Sequence, residues 1–354
     1  MGFLDIGGGL AVDYDGSHTN FESSRNYTEN EYATDIVEVV MSVLDESSVK
    51  HPTIITESGR ATVAHHSVLV FNILESGTFD PTGVVADPTG LSDHDMIKNL
   101  REVRDSLSKK NVQECYHDAI YYRDEIRSLF QHGHLSLRDR AYSEDLFWEI
   151  ARNISGQIQD RKYIPDELEG LATAIADVYY CNFSVFQSLP DSWAIKQLFP
   201  VMPVHRLCER PRRNAILADI TCDSDGKIEK FIDLHDVKNT LPLHEPGEQD
   251  YYLGVFLVGA YQETLGDLHN LLGDTNVLHV RLGPDGLFEY SNEIEGDTVA
   301  DVLSYVEYEP GKMIRTVRAA AEKAVREGLI TAVERREIML AYENGMRGYT
   351  YFKN

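Results

Sequence analysis

No apolar run in this 354-residue chain is long enough to cross a bilayer as a helix. The first residues also lack the basic-then-apolar pattern of a secretory leader, so neither an exported nor a membrane-spanning protein is expected. Cysteine is scarce. Cys115, Cys181, Cys208 and Cys222 show no CxxC spacing, which excludes a zinc ribbon and a disulfide framework and leaves reduced thiols in a cytoplasmic protein as the expectation. Basic charge is short as well: 33 Lys and Arg face 58 Asp and Glu, a net charge of -25. Nucleic acid and anionic membrane are disfavoured as partners, because both are held by basic surface. An acidic surface that keeps the chain soluble accounts for the imbalance, and a cationic ligand is compatible with it. There is no internal repeat and no low-complexity segment. What remains is 42% hydrophobic residues on a chain long enough for two domains with their own cores.

Two strands that end in glycine organise the N-terminal part. Phe3-Leu4-Asp5-Ile6 runs into Gly7, Gly8 and Gly9, and Ile54-Ile55-Thr56 runs into Glu57, Ser58, Gly59 and Arg60. A helix from about Asn30 to Glu46 joins them, its Ile36, Val37, Val40, Val43 and Leu44 spaced to form one buried stripe. Such a βαβ unit can hold a phosphate: glycines let backbone N–H groups approach an anion, and an arginine adds a bidentate charged contact. A parallel strand needs neighbours and cover on both faces, so the first part of a larger fold is expected to be absent from this chain.

Downstream, residues 77–90 form a Gly/Pro/Asp-rich linker, and Asp93 to about Asn153 reads as two or three helices. From Asp177 the pattern turns to strands, at Val178–Phe186, Ala215–Thr221, Lys227–Ile232, Tyr251–Val258 and Val277–Leu282, an antiparallel β domain. Lys312 to Asn344 is helical again. Three stretches carry chemistry. Thr221-Cys222-Asp223-Ser224-Asp225-Gly226 sets a thiol and two carboxylates on a turn, which is either a site or an ordinary loop. Gly259-Ala260-Tyr261-Gln262 presents a phenol and an amide, or buries a core tyrosine. Asp191 beside Trp193 can bind a cation or cap a helix. His65 and His66 invite a metal reading, but adjacent side chains diverge on helix and strand alike.

Gly-Gly-Gly-Leu at 7–10, Glu-Ser-Gly-Arg at 57–60, Cys-Asp-Ser-Asp-Gly at 222–226 and Gly-Ala-Tyr-Gln at 259–262 occur in this order. So arranged, with Phe-Gln-Ser-Leu-Pro-Asp-Ser-Trp at 186–193 and Asp-Leu-His-Asn at 267–270, the chain resembles the PLP-dependent basic amino acid decarboxylases of the alanine racemase-like barrel type. Within them it resembles the biosynthetic arginine decarboxylase group, over essentially its whole length. The resemblance implies an α/β plus β fold. Residues 1–76 would be the last strands and helices of a PLP-binding (β/α)8 barrel, and 77–170 a linker and helical bundle insertion. Residues 171–310 would be an antiparallel β-sandwich or barrel domain, and 311–354 C-terminal helices.

It also implies roles. Gly7, Gly8, Gly9, Gly59 and Arg60 would hold the phosphate of pyridoxal phosphate, with the Tyr261 hydroxyl. Glu57 would face the pyridine nitrogen. Cys222 would return a proton to the substrate's α-carbon, and Asp223, helped by Asp191, would grip its distal cation, both Cys222 and Asp223 reaching into a partner subunit's site. Phe183 stands where ornithine-type relatives carry an aspartate. Magnesium, a homodimer or higher oligomer, and conversion of arginine to agmatine for polyamine synthesis belong to the same inference. The Schiff-base lysine should lie in the first barrel strand, and no lysine here has a matching context, so the chain alone is expected to be inactive. A regulatory or interaction subunit, or a decarboxylase of ornithine or diaminopimelate, are the alternatives.

Overall fold

A computed structural model describes residues 2–78, 89–158, 166–233 and 236–353. The chain opens with β1 (Phe3–Asp5), α1 (Glu29–Glu46), β2 (Thr53–Ile55) and the short helix α2 (Gly59–Val63). The two strands run parallel, Phe3 beside Thr53 and Asp5 beside Ile55. α1 begins at a capping box: the Thr28 hydroxyl accepts the Glu31 N–H, and the Glu31 carboxylate accepts the Thr28 N–H. The expected buried stripe is not buried. No residue of α1 is, and Val37 and Val43 are exposed. Helical spacing fixes which face would be covered, not whether a surface exists to cover it, and a pair of three-residue strands is too small to do so.

α3 (Asp95–Ser106), α4 (Val112–Gln131), α5 (Leu137–Ile158) and α6 (Asp166–Ala174) follow. They enclose one apolar core that includes Ile97, Leu100, Ala119, Ile126, Leu146 and Ile150. Most of the linker expected at 77–90 lies outside the described residues. Asp139 ties the entrance of α3 to the start of α5. Its carboxylate accepts the Ser92 N–H at 2.7 Å, the Ser136 N–H at 3.0 Å and the Ser136 hydroxyl at 2.6 Å. Burial pushes this carboxyl up, but the donors outweigh it and hold it below the usual carboxylate range. A depressed group stabilises the fold above its unfolded-state value, and that contribution is lost as pH falls through the folded one. Asp139→Asn therefore lowers stability by about 1–2 kcal/mol at pH 7. Urea melts at pH 7 and below pH 3 check this, since the gap between variant and wild type closes in acid.

The remaining strands are β3 (Val68–Gly77), β4 (Asp177–Cys181), β5 (Val201–Pro203), β6 (Arg213–Ala218), β7 (Lys227–Ile228), β8 (Phe231–Asp233), β9 (Asp236–Lys238), β10 (Leu241–Leu243) and β11 (Tyr252–Phe256). Two short helices, α7 (Val185–Ser188) and α8 (Pro190–Ala194), lie between β4 and β5. The strands form a sheet of order β10-β6-β4-β3-β11-β5, with β7 on β6, while β8 and β9 pair apart. The expected β domain differs from this sheet in three ways, the first being that Val277–Leu282 pairs with Phe288–Ile294 in a separate two-stranded sheet. β4 and β6 are parallel rather than antiparallel, because the long connection from 182 to 212 can cross over where a tight turn could not. Val68–Gly77, grouped from sequence with the preceding barrel segment, lies at the centre of the sheet between β4 and β11. Its partners are far away in sequence, so no local pattern reveals them. Phe71, Tyr179, Phe183, Leu217, Leu253 and Val255 are part of the core.

A hairpin of β12 (Val277–Leu282) and β13 (Phe288–Ile294) leads to α9 (Val299–Tyr305), α10 (Pro310–Arg326) and α11 (Ala332–Met346). Capping boxes start α9 at Thr298 and α11 at Thr331. The segment after α11 returns to the body of the molecule. Asn182 and Phe352 exchange reciprocal hydrogen bonds at 2.8 and 3.1 Å, and the buried Tyr351 donates to the Gly273 carbonyl at 2.8 Å.

Candidate active site

The parallel pairing of β1 with β2 continues beyond both strands, and this brings the two glycine turns together. The Ile6 N–H donates to Ile55 and the Glu57 N–H to the Gly7 carbonyl at 2.8 Å, where the Thr56 hydroxyl also donates. Gly7 and Gly9 have φ of +71° and +98°, a backbone that side chains rarely adopt. Open space surrounds both Cα positions. Ser58 turns the elbow at φ +43°, unusual for a residue other than glycine, with its hydroxyl 2.7 Å from that of Thr56. Glu57, just before the elbow, is exposed.

Arg60 stands on α2 beside this loop, and three distant segments converge on it. Its guanidinium donates to the Tyr14 hydroxyl at 3.1 Å and pairs with Asp191 at 3.4 Å through both Nη atoms. The Tyr261 ring lies beneath it, 4.9 Å from the guanidinium carbon to the centroid. Burial alone would pull Arg60 down. The Tyr14 hydroxyl and the Asp191 carboxylate outweigh it, so the group is held above its ordinary value and stays charged. These contacts use three of five N–H donors, leaving the Nε–H and one Nη2–H for a ligand. Tyr261 reaches from the turn after β11, at φ +69°, and its hydroxyl would lie 3.3 Å from a Cβ at Gly59. Glycine at 59 is what lets phenol and backbone come this close.

Asp191, expected to help hold the substrate cation, is turned to Arg60 and Gln262 instead. Gln262 donates to Asp191 Oδ2 at 2.8 Å and accepts the Asp191 N–H at 3.2 Å. Both residues are buried. The sequence presented Gln262 only as an amide next to Tyr261; its task is to fix Asp191.

Cys222 and Asp223 sit on a separate turn between β6 and β7, both exposed. The turn is built around Asp219, whose only sequence signal is a carboxylate directly after the apolar strand Ala-Ile-Leu-Ala. Asp219 accepts the Thr221 N–H and hydroxyl on one oxygen and the Val185 N–H on the other. Burial pushes its carboxyl up, against the pull of these donors. A Cβ at Gly226 would lie 2.3 Å from Asp219 Oδ1, so the turn closes only on glycine. Asp223 Oδ1 accepts the Asp225 N–H at 2.9 Å. Phe183 is not at a site: it stacks on Phe71 at 4.3 Å in the core. His65 and His66 are exposed, and among the described residues no group of three His, Cys, Asp or Glu side chains could hold a metal ion.

A pyridoxal phosphate group fits the first cluster. Glycines with positive φ and open space, two spare donors on a charged guanidinium, a phenol and an exposed carboxylate stand on neighbouring turns. The comparisons agree. The pyridoxal binding domain of pyridoxal-dependent decarboxylases matches residues 1–64, the arginine decarboxylase helical bundle domain 91–172, and the arginine decarboxylase C-terminal helical extension 299–352. The fold is one shared with the pyridoxal-dependent decarboxylases.

Biosynthetic arginine decarboxylases from Thermosynechococcus vestitus and Phocaeicola vulgatus are each 48% identical to the chain, over 100% and 99% of it and 55% and 56% of their own lengths. The crystal structure of the Campylobacter jejuni biosynthetic arginine decarboxylase superposes with a TM-score of 0.82 at 30% identity, covering 100% of this chain and 57% of that one. The chain belongs to the biosynthetic arginine decarboxylase family. It spans about half the length of the curated relatives it matches. No helix among the described residues is long and apolar enough to cross a membrane.

Proposed function

We propose that the chain contributes the phosphate-binding and proton-returning residues to a pyridoxal phosphate-dependent decarboxylase that converts arginine to agmatine and CO2. The observation that carries this reading is the Gly7 turn hydrogen-bonded to Glu57, with Tyr14, Asp191 and Tyr261 converging on Arg60 three residues further along the same elbow. Bound pyridoxal phosphate supplies an electron sink for the pair left when CO2 departs. In this reading the chain's residues do the rest. Arg60 and the glycine backbone bind the phosphate through charge-assisted hydrogen bonds. Glu57, exposed at the elbow, keeps the ring nitrogen protonated. Cys222 delivers a proton from Sγ to the α-carbon. Asp223 offers Oδ2 to the guanidinium of the substrate, and Asp191, already engaged, orients Arg60. Cys222 and Asp223 act in a partner subunit's site, which makes the working unit a homodimer or a higher oligomer. The enzyme would be cytoplasmic and serve polyamine synthesis; the described residues offer the magnesium implied by the resemblance no ligand set.

The test joins this chain to those residues of the Thermosynechococcus vestitus relative that lie outside the match, and measures CO2 release from arginine, ornithine and diaminopimelate. Turnover of arginine at least tenfold above the others is expected, as is none by the unjoined chain. Equal turnover of ornithine would sink the arginine assignment.

A further inference from the structure

The Asp-Leu-His-Asn run at 267–270 has no part in the site so far described, yet its last residue is the one that touches Cys222. Asn270 Oδ1 accepts the Cys222 N–H at 3.1 Å, and Asn270 Nδ2 lies 3.4 Å from Cys222 Sγ, within range of a hydrogen bond to sulfur. One planar amide therefore grips the residue at its backbone and at its thiol. Neither contact is local, since 48 residues separate the two. Asn270 has φ +58°, a left-handed conformation that asparagine tolerates better than most residues, and Leu271 follows at +57°. The same segment is fixed further up: the Asp267 N–H donates to the Phe186 carbonyl at 3.0 Å, and Gly266 lies where a Cβ would be 2.5 Å from the Gln187 carbonyl. The run starts just beyond Tyr261 and Gln262, so the segment that presents the phenol to Arg60 also presents an amide to Cys222.

We propose that Asn270 is the positioning residue for the Cys222 thiol. It sets the direction of Sγ through the Cys222 backbone, and its Nδ2–H stabilises the negative charge on sulfur once the proton has left. The assignment rests on the reading of Cys222 as proton donor, but its geometry can be tested without any cofactor.

The experiment follows iodoacetamide alkylation of each cysteine by peptide mass spectrometry, together with amide hydrogen exchange at Cys222, in the whole chain. Only the thiolate reacts, so the rate at neutral pH reports how well the negative sulfur is stabilised. Asn270→Gly keeps the left-handed backbone and removes both contacts. Asn270→Asp keeps the acceptor for the Cys222 N–H but replaces the donor to sulfur with a like charge. Alkylation of Cys222 should slow about fivefold in the glycine variant and more in the aspartate variant, the size expected for one lost hydrogen bond. Exchange of the Cys222 amide should quicken in the glycine variant alone. Cys208, exposed elsewhere, serves as the control, and Cys115 and Cys181, both buried, report that the variants fold. Cys222 rates within twofold of wild type in both variants would overturn the proposal. If alkylation shifts as expected while Cys222→Ser leaves decarboxylation by the joined enzyme intact, the clamp stands and the proton-donor reading falls.

Discussion

Arg60→Met in the joined enzyme should weaken pyridoxal phosphate binding by roughly two orders of magnitude, the loss expected for a bidentate charge-assisted contact. Methionine keeps the apolar stem and removes only the fork of donors, so the effect reads the guanidinium and not the volume. The same change should lower stability by about 2–3 kcal/mol, because Asp191 is buried and loses its cation. Gln262 alone then faces a carboxylate that still needs a counter-charge. Adding Asp191→Asn to Arg60→Met should recover most of the stability and none of the cofactor affinity. Cofactor titration and urea unfolding of the single and double variants measure the two effects separately. Unchanged affinity in Arg60→Met would remove this residue from the phosphate site whatever happened to stability.

Gly259→Ala should cost roughly 3 kcal/mol, at the upper end of ordinary overpacking. The new Cβ would fall 2.0 Å from the Val63 carbonyl oxygen and 2.5 Å from His66 Nδ1. The first of these is backbone at the end of α2, so no rotamer change relieves it. The Gly259 N–H also donates to the Ala64 carbonyl at 3.1 Å, which makes this the seam between the turn carrying Tyr261 and the helix carrying Arg60. Separating them should reduce cofactor affinity along with stability. Gly156→Ala in α5, where nothing lies within 4 Å of the new atom, is the contrast: it should raise stability by about 0.5–1 kcal/mol through helix propensity. Urea midpoints moving by the same amount in the two variants would show that crowding at 259 is not the cause.

Residues that act through their own local turns were legible from the sequence. Gly7 to Gly9, Glu57, Gly59 and Arg60 stood out because glycine and charge at strand ends have few other uses, and parallel strands bring those ends together. Local sequence leaves Tyr261 open between a presented phenol and a core tyrosine, and only the resemblance sets it beside the phosphate. Three supports of the site were not legible, and each acts over a long separation: Gln262 meets Asp191 across 71 residues, Asn270 meets Cys222 across 48, and Tyr14 meets Arg60 across 46. The Asp-Leu-His-Asn run carries part of the resemblance, but nothing in it ties Asn270 to Cys222, since that contact is set by where a distant turn falls. Asp191 shows the opposite difficulty. A carboxylate beside a tryptophan reads as a cation site, which it is, but the cation is the chain's own Arg60. The stripe on α1, expected to be buried, is exposed because the surface beside it is small. β3 carried its apolar signal openly, yet only its pairing with β4 and β11 assigns it to the large sheet.

The return of the chain after α11 has a consequence for how the molecule comes apart. Tyr349, Thr350 and Tyr351 each make a hydrogen bond to the 273–276 segment, Gly348 accepts the Val299 N–H, and Phe352 closes an amide pair with Asn182 at the end of β4. The segment after the last helix is thus fastened to residues 273–276 and, through Asn182, to the end of β4. Fraying from the C-terminus must first expose the buried Tyr351 ring and undo Asn182, contacts that border the sheet core. α9 to α11 and the sheet therefore open in one cooperative step, and a protease probing the native state finds no early foothold in α11.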